Sequence, residues 1–206
     1  MLAHVLRRAR AIDGIDDVVL ATSNETRDEP LTWVADDLGL QSFRGSEHDV
    51  LGRFATVAAL TKADAIVRIT GDCPLLAPDI AARVVSAYRA GAGAFVSNDT
   101  NVSGFPDGTD TEVVSSRILQ EAATRVLMHA SWIHGDREHV TSWIRRHYQH
   151  HVVTSPDDFG RYKLSVDTPE DLARVRTIFG YLENGDYTLA ATLRAIARVE
   201  QEGCTV

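Results

Sequence analysis

Leu2, Val5, Leu6 and Ala9 recur at the spacing of one helix face, with Arg7, Arg8 and Arg10 assigned to the opposite, polar face, so the pattern predicts that the chain opens with a helix. VVLAT at 18–22 reads as a strand. Pro30 suits a first helical turn, Leu31, Val34, Ala35 and Leu38 form an apolar stripe, and Gly39 fits the left-handed position that ends a helix. Ser46 and Asp49 have capping-box spacing ahead of a stripe at Val50, Leu51, Phe54, Val57 and Ala58. AIVRI at 65–69 is a buried strand by composition, Pro78 opens a helix carrying Ile80, Val84, Val85 and Tyr88, and AFVSN at 94–98 is a strand again.

The alternation continues with a strand at 111–115, helices near 116–127 and 137–147, and strands near 151–154 and 162–166. Thr168, Pro169 and Asp171 then mark the start of a helix with the stripe Leu172, Val175, Ile178 and Phe179, and a final helix is expected at 189–201. Strands alternating with helices, without a repeat or a linker rich in Pro, Gly or Ser, predict one doubly wound α/β domain over 1–206. The polar segment NDTNVSGFPDGTDTE at 98–112 interrupts the rhythm; it has the composition of a functional loop and equally that of a surface excursion.

Composition narrows the partners. A chain of 206 residues can bury a full core, and 44% hydrophobic with 24% charged residues is ordinary for a globular protein. A net charge of −8 argues against nucleic acid, which needs a basic surface to release counterions. Two cysteines, Cys73 and Cys204, fit free thiols in a reducing, cytoplasmic setting, and no apolar run approaches the length of a membrane span. Neither a Walker loop nor a Gly-x-Ser-x-Gly elbow occurs, and His147, His150 and His151 lack the pattern of a zinc site.

Ligands of open parallel sheets bind beyond the carboxyl ends of the strands, which singles out Asp72, just after AIVRI, and Asp167, at the end of KLSV. Alone, each reads more readily as a turn or helix-cap residue than as a ligand. If their strands are adjacent, the two carboxylates meet at one rim as oxygen donors suited to Mg²⁺ with substrate phosphates.

Five segments in order, RGSEHDVLGRF, RITGDCPLL, FPDGTDTEV, DREHVTSWIR and KLSVDTPEDL, make the chain recognisable. It resembles the cytidylyltransferase-like proteins of spore coat polysaccharide biosynthesis, relatives of the CMP-Kdo and CMP-sialate synthetases. The resemblance implies a Rossmann-like, mostly parallel sheet with helices on both faces, on which a sugar or sugar-acid oxygen attacks the α-phosphorus of CTP and pyrophosphate leaves with the help of Mg²⁺. The aspartate of the family's Gly-Asp-x-Pro segment falls on Asp72, and the one before Thr-Pro-Glu-Asp-Leu on Asp167; both are implied metal ligands. The Arg-Gly-Ser segment implies Ser46 and Arg53 near the nucleotide. Asp107, Asp110, Glu112, Arg137, Glu138, His139 and Lys163 are the implied acceptor side, and a homodimer is expected from relatives.

The resemblance breaks at the start. Relatives open with a strand and a loop of the type Ala-Arg-x-Gly-Ser-x-Arg-Leu-Pro-Gly-Lys that holds the triphosphate, whereas this sequence opens at the following helix, Met1-Leu2 matching its Pro-Met-Leu entry. The usual first strand is therefore expected to be missing from the sheet. Three readings follow: a cytidylyltransferase that is truncated or complemented by another chain, a degenerate nucleotide-sugar binding or assembly protein, and a glycosyltransferase using Asp107 and Asp110.

Overall fold

The computed structural model describes residues 1–128, 135–182 and 185–202; Cys204 lies outside them. The amino-terminal half contains α1 (Leu2–Arg10), β1 (Val19–Ser23), α2 (Glu29–Asp37), β2 (Gln41–Gly45), α3 (Val50–Thr61), β3 (Ala65–Arg68), α4 (Pro78–Arg89) and β4 (Phe95–Ser97). There follow α5 (Thr100–Ser103), β5 (Glu112–Ser115), α6 (Ser116–Met128), α7 (Gly135–Glu138), α8 (Ser142–His147), β6 (His150–Val152), α9 (Pro169–Tyr181) and α10 (Leu189–Gln201).

The strands form a two-stranded sheet, β1-β2, and a four-stranded sheet in the order β3-β5-β4-β6. β1 and β2 pair in parallel, as do β4 and β6, whereas β5 is antiparallel to both of its neighbours. The sheet is thus parallel in part: β3, β4 and β6 run in one direction, and β5 is the exception to the expected parallel arrangement. A strand that returns directly from a loop rather than through a crossover helix must run opposite to its neighbour, and β5 follows β4 through the 98–112 loop in that way.

Successive strand residues face opposite sides, and both sides are covered. Phe95, Val114 and Ile66 meet α3, α6 and α8 on one face, while Val96, Val113 and Val67 meet α1 and α4 on the other. A third cluster joins α9 and α10 to Leu75 and Leu164.

The two sheets share their covering helices. α1 gives Leu6 to the cluster around Leu20 of β1 and Ala9 to the cluster around Val67 of β3. On the other side, α3 packs on β1 and β2 while Leu51 and Ala55 belong to the cluster that includes Ile66. β1 and β3 therefore lie under the same helices, yet among the described residues each is paired with a strand on one edge only. The described strands thus form two sheets that are not hydrogen-bonded to each other between β1 and β3.

Four local expectations need correction. Arg8 is not on the polar face: it is 1% exposed, and its Nη1 donates to the carbonyls of Leu76 and Tyr187 at 2.9 and 3.2 Å. Position 8 falls between Val5 and Ile12 on the inward arc of the helix, and burial lowers the guanidinium pKa to about 10. The cap of α3 is Asp49, whose carboxylate accepts from the Gly52 amide at 3.0 Å, and Ser46 lies outside the helix. The helix expected over 137–147 is two short helices, α7 and α8, and the strand expected near 162–166 is reduced to a single bridge between Lys163 and Asp107. One strand, β2, was not anticipated, because Gln41, Ser42 and Arg44 carry no buried-strand signature at a sheet edge.

Candidate active site

Beyond β3 the chain passes through Thr70, Gly71 and half-buried Asp72 before the fully buried Leu75, Leu76 and Ala77 lead into α4. Two long-range bonds pin this segment: Arg8 donates to the Leu76 carbonyl, and the Val166 amide donates to the Asp72 carbonyl at 2.9 Å. The second bond brings the segment preceding Asp167 alongside Asp72. Cys73, next in the chain to Asp72, is buried; burial first, and the neighbouring Asp72 second, push its thiol pKa well above the ordinary value. Asp110 acts in the same direction on that thiol, so its charge lies near this end of the sheet.

Asp167 stands just before the capped start of α9. The Thr168 hydroxyl accepts from the Asp171 amide, and the Asp171 carboxylate accepts from the Asp167 and Thr168 amides at 3.0 and 3.1 Å. Lys163 spans the two acids, with Nζ 2.6 Å from Asp167 and 2.7 Å from Asp171. The Lys163 hydrogen bond, then the Asp167 amide and Arg174, hold the Asp171 carboxyl well below the usual carboxylate range. The bonds to Asp167 and Asp171 raise the Lys163 pKa. Asp167 itself remains exposed.

The polar loop folds back on the same segment. Asp107 pairs with it through its amide and carbonyl, bonding Tyr162 and Leu164 at 3.1 and 2.7 Å, and its carboxylate accepts from the Ser165 hydroxyl at 2.6 Å. Gly108 makes this approach possible: its φ is +89°, and a Cβ there would lie 2.5 Å from the Ser165 nitrogen. The Asp110 carboxylate accepts from the Thr100 hydroxyl at 2.8 Å and the Gly108 amide at 3.2 Å, and burial raises its pKa. Buried Asn98 ties the loop together, donating to the Thr109 carbonyl and accepting from the Thr111 amide. Asp107 and Asp110 line a cleft of about 790 Å³ whose other walls come from α5 and the 154–160 segment.

Asp72, Asp167, Lys163, Asp107 and Asp110 are therefore linked through one set of backbone and side-chain contacts at one end of the sheet. Ser46 and Arg53 form a second group, Arg53 donating to the Ser46 carbonyl at 2.7 Å, with burial lowering the guanidinium pKa. Arg137 joins this second group by facing Asp49 at 3.8 Å, while Glu138 and His139 are exposed; none of the three lines the cleft. Glu112 also does not reach it. Its buried carboxylate accepts from Arg68 and Arg145 at 2.8 Å each and from Thr141 at 2.7 Å. Burial opposes that charge, but the two guanidiniums and the hydroxyl together lower the Glu112 pKa.

Sequence reasoning passed over Arg145, which holds both Asp99 and Glu112, and Thr100 and Ser165, which hold the cleft aspartates. Arginine inside the apolar strand AIVRI was one available signal, since a strand arginine needs a carboxylate on a neighbouring strand. The other partners had none.

A divalent ion would suit the donors at the Asp72 and Asp167 end: both are hard oxygen ligands, one half-buried and one exposed, which leaves room for water and phosphate. Among the described residues no three His, Cys, Asp or Glu side chains gather as a metal cage, so substrate oxygens would have to complete the coordination. No helix among the described residues is long and apolar enough to cross a membrane.

The chain is similar to known nucleotidyltransferases in both sequence and fold. Spore coat polysaccharide biosynthesis protein SpsF of Bacillus subtilis is 30% identical over 169 residues, covering 80% of this chain and 67% of that protein. A cytidylyltransferase from Leptospira borgpetersenii superposes with a TM-score of 0.85 at 24% identity, covering 98% of this chain and 83% of the other. A CMP:2-keto-3-deoxy-manno-octonic acid synthetase complexed with CTP shares the fold at a TM-score of 0.62 and 13% identity, covering 87% of each chain. The cytidylyltransferase family model matches residues 1–178, and the chain belongs to that family of nucleotidyltransferases.

Proposed function

We propose that the protein transfers a cytidylyl group from CTP to an oxygen of a sugar or sugar acid, releasing pyrophosphate. The observation that carries this reading is the bond from the Val166 amide to the Asp72 carbonyl, which joins the two segments bearing the candidate metal ligands. Mg²⁺ bound there would act as a Lewis acid toward the phosphate oxygens. Asp72 and Asp167 would hold it, and Lys163 keeps the Asp167 carboxylate oriented beside the α9 amino terminus. Ser46 and Arg53 face the nucleotide, Asp107 and Asp110 face the acceptor, and in-line attack needs no covalent enzyme intermediate. A cytoplasmic location accords with Cys73 as a free, buried thiol.

The break between β1 and β3 supports the form of this reading in which a further extended segment, upstream or from another chain, completes the sheet and the triphosphate grip. Charge neutralisation of the leaving pyrophosphate is a large part of what such an enzyme supplies. The test is Asp72→Asn and Asp167→Asn in a form that releases pyrophosphate from CTP. Each substitution is expected to slow release at least about a hundredfold, the several kcal/mol a metal contributes. Undiminished release in both would remove the metal assignment. Calorimetry with CTP and Mg²⁺ separates the enzyme from a degenerate binding protein, because binding gained only when the segment is restored marks an incomplete enzyme.

A further inference from the structure

Resting on the reading in which Asp72 and Asp167 hold a divalent ion, we infer that Lys163 is a positioning residue that competes with this ion for Asp167 and so sets how tightly the site holds it. The Lys163 ammonium lies 2.6 Å from the Asp167 carboxylate and 2.7 Å from that of Asp171. These two partners are held very differently. The Asp171 side chain is 6% exposed, and its carboxylate also accepts from the Asp167 and Thr168 amides and, at 2.7 Å, from Arg174. The Asp167 side chain is 56% exposed, and Lys163 is the cation paired with it.

The lysine is anchored at its base but free at its tip. Its backbone bridges to Asp107 and its carbonyl accepts from Arg174 Nε at 3.2 Å, while the side chain is 40% exposed. A divalent ion and an ammonium on one carboxylate repel each other, and the less firmly held pair gives way. Here that pair is Lys163 with Asp167. Asp171 keeps the ammonium when Asp167 changes partner, so neither Lys163 nor Asp171 is left unpaired. Asp72 sets no such condition: its carboxylate accepts from the Cys73 thiol at 3.5 Å and forms no ion pair among the described residues. The competition therefore acts through Asp167. A site tuned in this way holds a divalent ion loosely by itself and gains from each further oxygen that substrate phosphates bring.

The experiment titrates the full chain with Mn²⁺, a hard ion that takes the same oxygen donors as Mg²⁺, and reads bound metal from the loss of the free-ion EPR signal. Lys163→Met is expected to bind Mn²⁺ about three- to tenfold more tightly than the unsubstituted chain, the scale of an exposed ion pair together with the repulsion it exerts. The start of α9 stays capped in this variant, because Asp171 retains Arg174 and two amides. Lys163→Arg keeps the charge and should show no such gain. Arg161→Met removes the same charge from the same segment, where Arg161 bonds the Tyr162 hydroxyl, and should show none either. Equal or weaker binding by Lys163→Met, or an equal gain in Arg161→Met, would overturn the inference. Mn²⁺ binding that is lost in Asp72→Asn and Asp167→Asn yet indifferent to Lys163 sinks only the competition. Binding that survives both of those substitutions, or no binding in any form, sinks the metal assignment beneath it.

Discussion

The amide of Val166 donates to the carbonyl of Asp72 across 2.9 Å, and through this one bond two segments almost a hundred positions apart become neighbours at the end of the sheet. Asp167 follows Val166 directly, so the backbone pairing brings its position in the chain beside Asp72. The Asp167 carboxylate is paired with Lys163 at 2.6 Å, and in the function proposed above it would join Asp72 in holding a divalent cation.

Gly108→Ala is expected to damage the cleft more than its size suggests. The new Cβ would sit 2.5 Å from the Ser165 nitrogen at a φ of +89°, so the loop must retreat from the 162–166 segment. Denaturant unfolding should show a loss of about 2 kcal/mol or more, combining the strained conformation with the clash. Acceptor affinity should fall with it, because Asp107 and Asp110 flank the glycine.

Glu112→Gln should weaken the fold without touching the cleft lining. The carboxylate ties β5 to Arg68 of β3 and Arg145 of α8; its loss takes the carboxylate partner from Arg68 and leaves Arg145 with Asp99 alone. Removing one partner of a fully buried pair costs roughly 3–5 kcal/mol; because both arginines keep some solvent contact, about 2 kcal/mol is expected in urea unfolding.

Acid should loosen the α9 cap. The folded pKa of Asp171 is depressed by Lys163, the Asp167 amide and Arg174. Its contribution to stability is therefore fully present above the unfolded value of about 3.9 and is lost as the pH falls through the folded one. Stability measured from about pH 5 downward should decline less steeply in Asp171→Asn than in the unsubstituted chain. Lys163 has the opposite sign: its pKa is raised, so its contribution holds below its ordinary value of about 10.4 and disappears as the pH rises through the folded value.

Hydrogen exchange should report the break in the sheet. β1 and β3 are each paired on one edge, whereas β5 and β4 are paired on both. Amides of β1 and β3 that point into the break are expected to exchange faster than those of β5. Adding an upstream extended segment should protect them. Unchanged exchange would show that the break does not take a strand.

Much of this architecture is readable from local pattern. The Thr168-Pro169-Asp171 start of α9, the Asp49 region before α3, and the apolar runs of β3, β4 and β5 are short-range features, because periodicity and capping depend on residues within a few positions of each other. The motif segments likewise mark Asp72 and Asp167 without any knowledge of their distance. The 137–147 helix was misread because its apolar spacing survives the interruption at Thr141, where the hydroxyl bonds Glu112.

Other features depend on which parts of the chain meet. Arg8 reads as a surface residue until Leu76 and Tyr187 supply carbonyls for its guanidinium, and Glu112 reads as an acceptor group until Arg68 and Arg145 enclose it. The direction of β5 and the folding of the 98–112 loop over Ser165 are of the same kind. Local chemistry chose the elements and named the acids. Burial and charge pairing, which act between distant residues, chose which of those acids face the cleft and which serve only to hold the fold together.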